Sequence, residues 1–313
     1  MPAVVGVDLG GTNTRVALIQ EGEFVKIARF PTQAQSGAAE LITRLSAVIN
    51  AMADLGRQRG EEPVGLGVAS PGVIDRQRGV VLFSPNLPGF GNLALAYQLS
   101  QACGLPTFLE NDANLFALGE HRFGAGRGES DLVCLTLGTG VGGGLIVDSR
   151  LAVGPLGCGG EIGHTLVEPG GRLCGCGARG CLEAYASATG LTGMLREEMA
   201  RGRRSLMGPQ DEVTRMAQAA LRGDALGREL FGLAGRALGR AVANLVATTG
   251  LKLVIIGGGV APAWPLMEPA CRREMEERLR IVDHRQVRLV TAELEERAPL
   301  LGAAAFALDG LNN

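Results

Sequence analysis

Val4-Val5-Gly6-Val7-Asp8-Leu9-Gly10-Gly11-Thr12-Asn13-Thr14-Arg15-Val16-Ala17-Leu18-Ile19 is the stretch whose reading decides the fold. An apolar run ends in an acid, consecutive glycines turn the chain, and a second apolar run returns. The pattern predicts two strands joined by a glycine turn. Such a turn is either a plain hairpin or a nest that aims several N–H groups at phosphate oxygens. Asp8 at its mouth suits Mg²⁺, held directly or through water. The same design returns roughly 130 residues later. Leu132 to Leu137 reads as a strand, Gly138-Thr139-Gly140-Val141-Gly142-Gly143-Gly144 as a glycine turn, and Leu145-Ile146-Val147 as the next strand. Leu9-Gly10-Gly11-Thr12 and Leu137-Gly138-Thr139-Gly140 are the local echoes. A supersecondary unit that recurs in this way predicts two related domains, with two glycine loops clamping one polyphosphate.

Outward from these loops, strands are expected at 24–30, 64–69, 106–109, 253–256 and 287–290. Helices are expected at 38–55, 92–103, 112–122, 182–202, 210–222 and 224–249, with Pro262 and Pro299 opening two more. The 313 residues suffice for about two domains at roughly 100–200 residues each. A 46% hydrophobic and 20% charged composition belongs to a globular chain. A net charge of −2 gives no basic stripe for nucleic acid. Met1-Pro2-Ala3 lacks the positive start of a signal peptide, and no apolar run reaches the ~18–20 residues that span a bilayer, so a cytoplasmic protein with no membrane partner is expected.

Glycine numbers 48, about twice the usual ~7%, whereas only Lys26 and Lys252 are lysine. Neither lysine follows a glycine, so there is no Walker A loop, and His-Arg-Asp and Asp-Phe-Gly are absent too. Glycine backbone and a metal must then hold any phosphate. Gly257-Gly258-Gly259, after a buried strand and before a helix, is either tight packing or close approach to a nucleotide. Asp112, in Glu110-Asn111-Asp112 at a strand-to-helix junction, either caps the helix or acts on a substrate hydroxyl.

The most specific spacing is Gly160-Glu161-Ile162-Gly163-His164 followed by Cys174-Gly175-Cys176 and Cys181-Leu182-Glu183. His164, Cys174, Cys176 and Cys181 form a Cys₃His set suited to a structural, tetrahedral Zn²⁺ with no open position. Glu161, His164 and Glu183 flank that loop and could read vicinal hydroxyls of a sugar. For each alone a bland reading also stands, such as a helix N-terminal acid for Glu183. Gly232, Gly235 and Gly239 in the helix at 224–249 suit close packing, within one chain or across two.

Together these residues resemble the ROK family of sugar kinases, within the actin-like ATPase superfamily. The parts occur in order: Asp8 to Thr12, Ser70-Pro71-Gly72, Ser84-Pro85-Asn86-Leu87-Pro88-Gly89, Glu110-Asn111-Asp112, Gly138-Thr139-Gly140, the Glu161 to His164 motif and the cysteine loop. The resemblance covers about residues 4–260. It implies an α/β, bilobal actin-like (ribonuclease H-like) fold with a cleft between two related domains and a zinc loop at 164–181. The smaller lobe is expected at 1–116 plus 299–313 and the larger at 117–298. Asp112 matches the catalytic base. Asn86, Asn111, Asp112, Glu161, His164 and Glu183 match sugar-binding positions. Asp8, Gly10, Gly11, Thr12, Gly138, Thr139 and Gly140 match the ATP and Mg²⁺ loops, and Gly258 and Gly259 the nucleotide loop. The implied reaction is ATP-dependent phosphorylation of a hexose 6-hydroxyl by a homodimer or homotetramer. Cys181-Leu182-Glu183-Ala184-Tyr185-Ala186-Ser187 looks most like glucose-phosphorylating members, with fructose and N-acetylhexosamines as alternatives. ROK members also include repressors, which carry a helix-turn-helix domain before the first glycine loop. Only seven residues precede Asp8 here, so a repressor is not expected.

Overall fold

The computed structural model describes residues 2–84 and 87–312. The decisive stretch forms β1 (Val4–Leu9) and β2 (Asn13–Gln20), an antiparallel pair, with β3 (Glu23–Pro31) on β2. After α1 (Ala38–Gln58) come β4 (Leu66–Ser70), a small hairpin of β5 (Val73–Asp75) and β6 (Val80–Phe83), α2 (Leu95–Cys103), β7 (Thr107–Asn111) and α3 (Asp112–Phe123). Then follow β8 (Leu132–Leu137), β9 (Val141–Val147), β10 (Arg150–Leu151), α4 (Glu183–Ala186), α5 (Ala188–Ala200), α6 (Val213–Leu221) and α7 (Ala225–Thr249). The chain ends with β11 (Leu253–Gly257), α8 (Trp264–Arg278), β12 (Arg288–Thr291) and α9 (Ala298–Leu311).

Two five-stranded sheets have the same plan. The first runs β3-β2-β1-β4-β7 and the second β10-β9-β8-β11-β12. In each, the leading strand of the glycine hairpin pairs in parallel with the next central strand, β1 with β4 and β8 with β11. The recurrence is therefore one of topology. Contacts divide the chain into two compact units, Met1–Ser130 with Gly144–Gly159 and Glu293–Asn313, and Asp131–Gly143 with Gly160–Ala292. The cut passes through β9 itself.

β1 is buried along its whole length because both faces of its sheet are covered. Val5, Val7 and Leu9 pack with Leu41, Leu45 and Ile49 of α1 and Leu95 and Leu99 of α2. Val4, Ala17 and Ile19 face Leu300, Leu301 and Ala304 of α9. An added Cβ on Gly6 would stand 2.8 Å from the Leu300 carbonyl oxygen, so α9 lies against bare backbone there.

Two expectations change and a third is narrowed. Gly142, Gly143 and Gly144 belong to β9 rather than to the loop, because Gly143 meets the Gly160 carbonyl and Ile162, and Gly144 meets the Ala113 carbonyl. The helix expected at 182–202 breaks at Ser187, whose extended backbone and hydroxyl bond to Gly190 N restart it as α5. Gly235 and Gly239 of α7 serve packing within the chain, against the Met267 and Cys271 carbonyls of α8. By length and composition α7 could cross a bilayer, but most of it is buried, packed along α8.

Candidate functional site

In the first unit, parallel pairing aligns three strand ends. Asp8 is level with Ala69, and Ala69 with Glu110, so the Asp8 loop and the Asn111-Asp112 turn leave the same edge of the sheet. Gly11 and Thr12 are exposed at the loop tip. The loop is fixed from β3's end: Thr32 N donates to Thr12 O at 2.8 Å, and Thr32 Oγ1 donates to Gly10 O at 2.6 Å. Asp8 is mostly buried, and burial pushes its carboxyl above the usual range despite the opposing Arg15 guanidinium. Arg15 faces it across the hairpin and donates from Nε and Nη2, at 2.9 and 2.6 Å, to the same oxygen, Oδ2. Its Nη1 donates to Glu296 at 2.8 Å. Both cationic contacts fall on Oδ2, and a carboxylate oxygen is a hard donor of the kind that fits Mg²⁺.

Asp112 is the first residue of α3, and Asn111 is its cap. Asn111 Oδ1 accepts from Ala113 N at 2.9 Å and Asn114 N at 3.2 Å, while Nδ2 donates to Gly72 O at 3.0 Å. Both lone pairs of the amide oxygen are thus used, and Gly72 O is the one acceptor of the amide N–H groups among the described residues. Asn86 lies outside the described residues.

In the second unit the loops after β8 and β11 lie side by side. Val260 N donates to Leu137 O at 2.8 Å, and Gly258, at φ +88°, packs so closely that a Cβ would meet Leu137 O at 2.5 Å. Ala188 N, at the head of α5, donates to Gly138 O at 2.8 Å, and Thr189 Oγ1 to Thr139 O at 2.8 Å. Gly138 and Gly259 differ from their neighbours: a Cβ on either meets nothing within 4 Å. The protein's own packing does not require glycine there.

Glu183, at the start of α4, joins this loop to the cysteine set. Its Oε2 accepts from Val141 N at 3.1 Å, and its Oε1 accepts from the Cys174 thiol at 3.4 Å. Gly163 is dictated by its close approach to the Val141 carbonyl, which seats the flanking Glu161 and His164 beside the same strand. Glu161 is exposed.

The ligand atoms of His164, Cys174, Cys176 and Cys181 all lie within 4.8 Å of one another. A tetrahedral ion with Zn–S near ~2.3 Å spaces its sulfurs about 3.8 Å apart. Cys176 Sγ and Cys181 Sγ are 3.7 Å apart, and Cys174 Sγ is 3.7 Å from His164 Nδ1. The residues therefore fit one tetrahedral cation, with Nδ1 as the imidazole ligand and Nε2 left for another partner. Burial pushes the Cys174 thiol up to about 12, whereas the Ala178 backbone N–H pulls Cys176 down. A cation entering this set displaces protons.

The structure thus groups Asp8, Gly10, Gly11, Thr12, Asn111 and Asp112 at one sheet edge, and Gly138, Thr139, Gly140, Gly258, Gly259, Glu161, His164 and Glu183 around the second glycine loop. Sequence reasoning missed Arg15, Thr32, Ala188 and Thr189, which hold these loops. Alternation across the first hairpin could have paired Arg15 with Asp8. Nothing local signals Thr32 or the head of α5.

A sequence profile described as the ROK family matches residues 4–310. Glucokinase of Thermotoga maritima is 40% identical over 310 residues, 97% of this chain and 96% of that protein. Among solved structures, the ROK hexokinase from Thermus thermophilus superposes with TM-score 0.83 at 33% identity, covering 99% of each chain. The ROK family glucokinase from Streptomyces griseus, in complex with glucose and AMPPNP, has TM-score 0.82 at 32% identity, covering 98% of this chain and 100% of that one.

Proposed function

This chain belongs to the ROK family, and from that premise we propose that it transfers the γ-phosphoryl group of ATP to the 6-hydroxyl of glucose. The observation that carries the reading is the shared sheet edge of the first unit, where a carboxylate at the head of α3 stands with Asp8 and its glycine loop. Asp112 accepts the proton of the 6-hydroxyl as that oxygen bonds to the γ-phosphorus. The bond from γ-phosphorus to the bridging oxygen breaks, and ADP leaves. Asn111 offers its remaining N–H to the sugar, and Asn86, Glu161, His164 and Glu183 bind the other hydroxyls.

Gly11, Thr12, Thr139 and Gly140 turn backbone N–H groups to the phosphates, Gly10 and Gly138 shape the two turns through their own bonds to Asn13 O and Gly140 O, and Gly258 and Gly259 face the nucleotide. The open space at Gly138 and Gly259 supports that assignment, since a ligand gives the missing Cβ its reason. Asp8 holds Mg²⁺, which when bound neutralises phosphate charge. The Cys₃His set holds a structural Zn²⁺, since protein fills all four positions. Seven cysteines, an odd number with three crowded into residues 174–181, support a reduced, cytoplasmic setting. A homodimer or homotetramer is the assembly to expect in sedimentation.

A coupled assay for ADP release with glucose, mannose, fructose, N-acetylglucosamine and N-acetylmannosamine tests the proposal. Glucose should give the highest kcat/KM. A higher value for N-acetylmannosamine would reassign the substrate, and ADP release with none of them would end the kinase reading. Asp112→Asn should lower kcat by about 10²–10⁴-fold with glucose affinity largely kept, as loss of a general base requires.

A further inference from the structure

We propose that Glu110 is the positioning residue for the base, fixing the turn that carries Asp112 from both sides; the inference rests on the hexose-kinase reading above. Glu110 is the penultimate residue of β7 and is 1% exposed. One of its oxygens, Oε1, accepts from Asn111 backbone N at 2.7 Å and from Asn114 Nδ2 at 3.1 Å. These two donors bracket residue 112 in sequence. Asn111 in turn caps α3 through Ala113 N and Asn114 N. Two oxygens, one from Glu110 and one from Asn111, therefore tie the strand end and the first turn of the helix into one rigid piece.

Packing alone does not ask for an acid here. The other oxygen, Oε2, has no hydrogen-bond partner among the described residues, and the Arg76 guanidinium is 3.6 Å away. Burial pushes the carboxyl above its usual range. A buried carboxyl whose second oxygen has an ion pair at 3.6 Å but no hydrogen bond is costly. What it supplies in return is one oxygen, held at full side-chain reach, that accepts two hydrogen bonds at once. The gain from that stiffness falls on Asp112, because a base displaced by about 1 Å can cost on the order of 10² in rate.

The test compares Glu110→Asp, which withdraws the carboxyl by one methylene, with Glu110→Gln, which keeps an acceptor oxygen at full reach. Steady-state kinetics gives kcat and the KM for ATP, calorimetry gives glucose Kd without nucleotide, and thermal melting gives Tm. Glu110→Asp should lower kcat by about tenfold or more while ATP KM and glucose Kd stay within about threefold, and Glu110→Gln should recover most of that kcat. A merely structural role would lower Tm without separating kcat from the two affinities. Glu110→Asp with full kcat overturns the inference, as does Glu110→Gln falling equally far, which would make charge the quantity that matters. Should Glu110→Asp fail to fold, Asn114→Ala removes one of the two donors, and an unchanged kcat there overturns it. An active wild type matched by Glu110→Asp sinks this inference alone, whereas a wild type releasing no ADP with any hexose removes the kinase reading and this inference with it.

Discussion

Asp8-Leu9-Gly10 and Thr136-Leu137-Gly138 close equivalent strands in two sheets of the same order, yet the chain holds them differently. The first loop is tied from within its own sheet edge, by Thr32 N to Thr12 O, Thr32 Oγ1 to Gly10 O and Arg15 to Asp8. The second is tied by chain that arrives from later elements: Val260 N on Leu137 O, Ala188 N on Gly138 O, Thr189 Oγ1 on Thr139 O, and Glu183 Oε2 under Val141 N. Where the first has a carboxylate at the strand end, the second has a hydroxyl. One repeat thus ends its strand in a carboxylate suited to a cation, and the other ends it in a neutral residue. The second loop is also mortgaged to the cysteine set, because Glu183 touches both Val141 N and Cys174.

The charge difference gives the largest expected effect. Asp8→Asn should lower kcat at least about 100-fold and raise the Mg²⁺ concentration needed for half-maximal rate, since metal neutralisation of phosphate is worth several kcal/mol. Thr136→Val, at the matching position, should keep kcat within about threefold, as a near-isosteric change away from the chemistry does. Equal losses in the two variants would break the asymmetry.

The second contrast concerns dependence on the metal loop. Stripping the Cys₃His set with a chelator should lower Tm and raise the KM for ATP by about 10–100-fold through Glu183, the range for groups that orient a site from behind. The Mg²⁺ concentration needed for half-maximal rate should stay as it was. If ATP KM holds steady in protein shown by metal analysis to be stripped, Glu183 does not transmit the state of the metal loop to the second glycine loop.

How much of this was legible in the sequence follows from how local each feature is. The hairpin at 9–13, the echo at 137–140 and the Cys₃His spacing each rest on residues within a few positions, and the structure realises them directly. The ROK resemblance likewise rested on short motifs. What escaped depends on chain that arrives from afar. Gly142 to Gly144 read as loop because glycine is the common turn residue, but here the Gly160 carbonyl and Ile162 side chain press on Gly143 and the Ala113 carbonyl presses on Gly144. Ser187 looked helical because its neighbours are, and only its bond to Gly190 N shows a cap. Glu183 matches a sugar-binding position and also holds the second glycine loop. Its bond to a backbone N–H 42 positions away could not be seen in spacing alone.

The finest contrast lies inside the second site, between glycines required by the fold and glycines the fold leaves free. Gly258 has φ +88° and stands against Leu137 O, so Gly258→Ala must strain the backbone and push the β8 and β11 loops apart. A loss of about 1–2 kcal/mol in unfolding free energy is expected, in the range of a non-glycine residue forced left-handed. Gly138→Ala should leave chemical denaturation unchanged, because its Cβ meets nothing in the chain within 4 Å and its φ is not positive. Its effect should fall on ATP, with KM rising about threefold or more as the methyl meets the nucleotide. Denaturation curves and ATP kinetics on the same two variants separate the roles. If Gly138→Ala loses stability and binds ATP normally, its glycine serves the fold after all, and the open space beside it is not where the nucleotide lies.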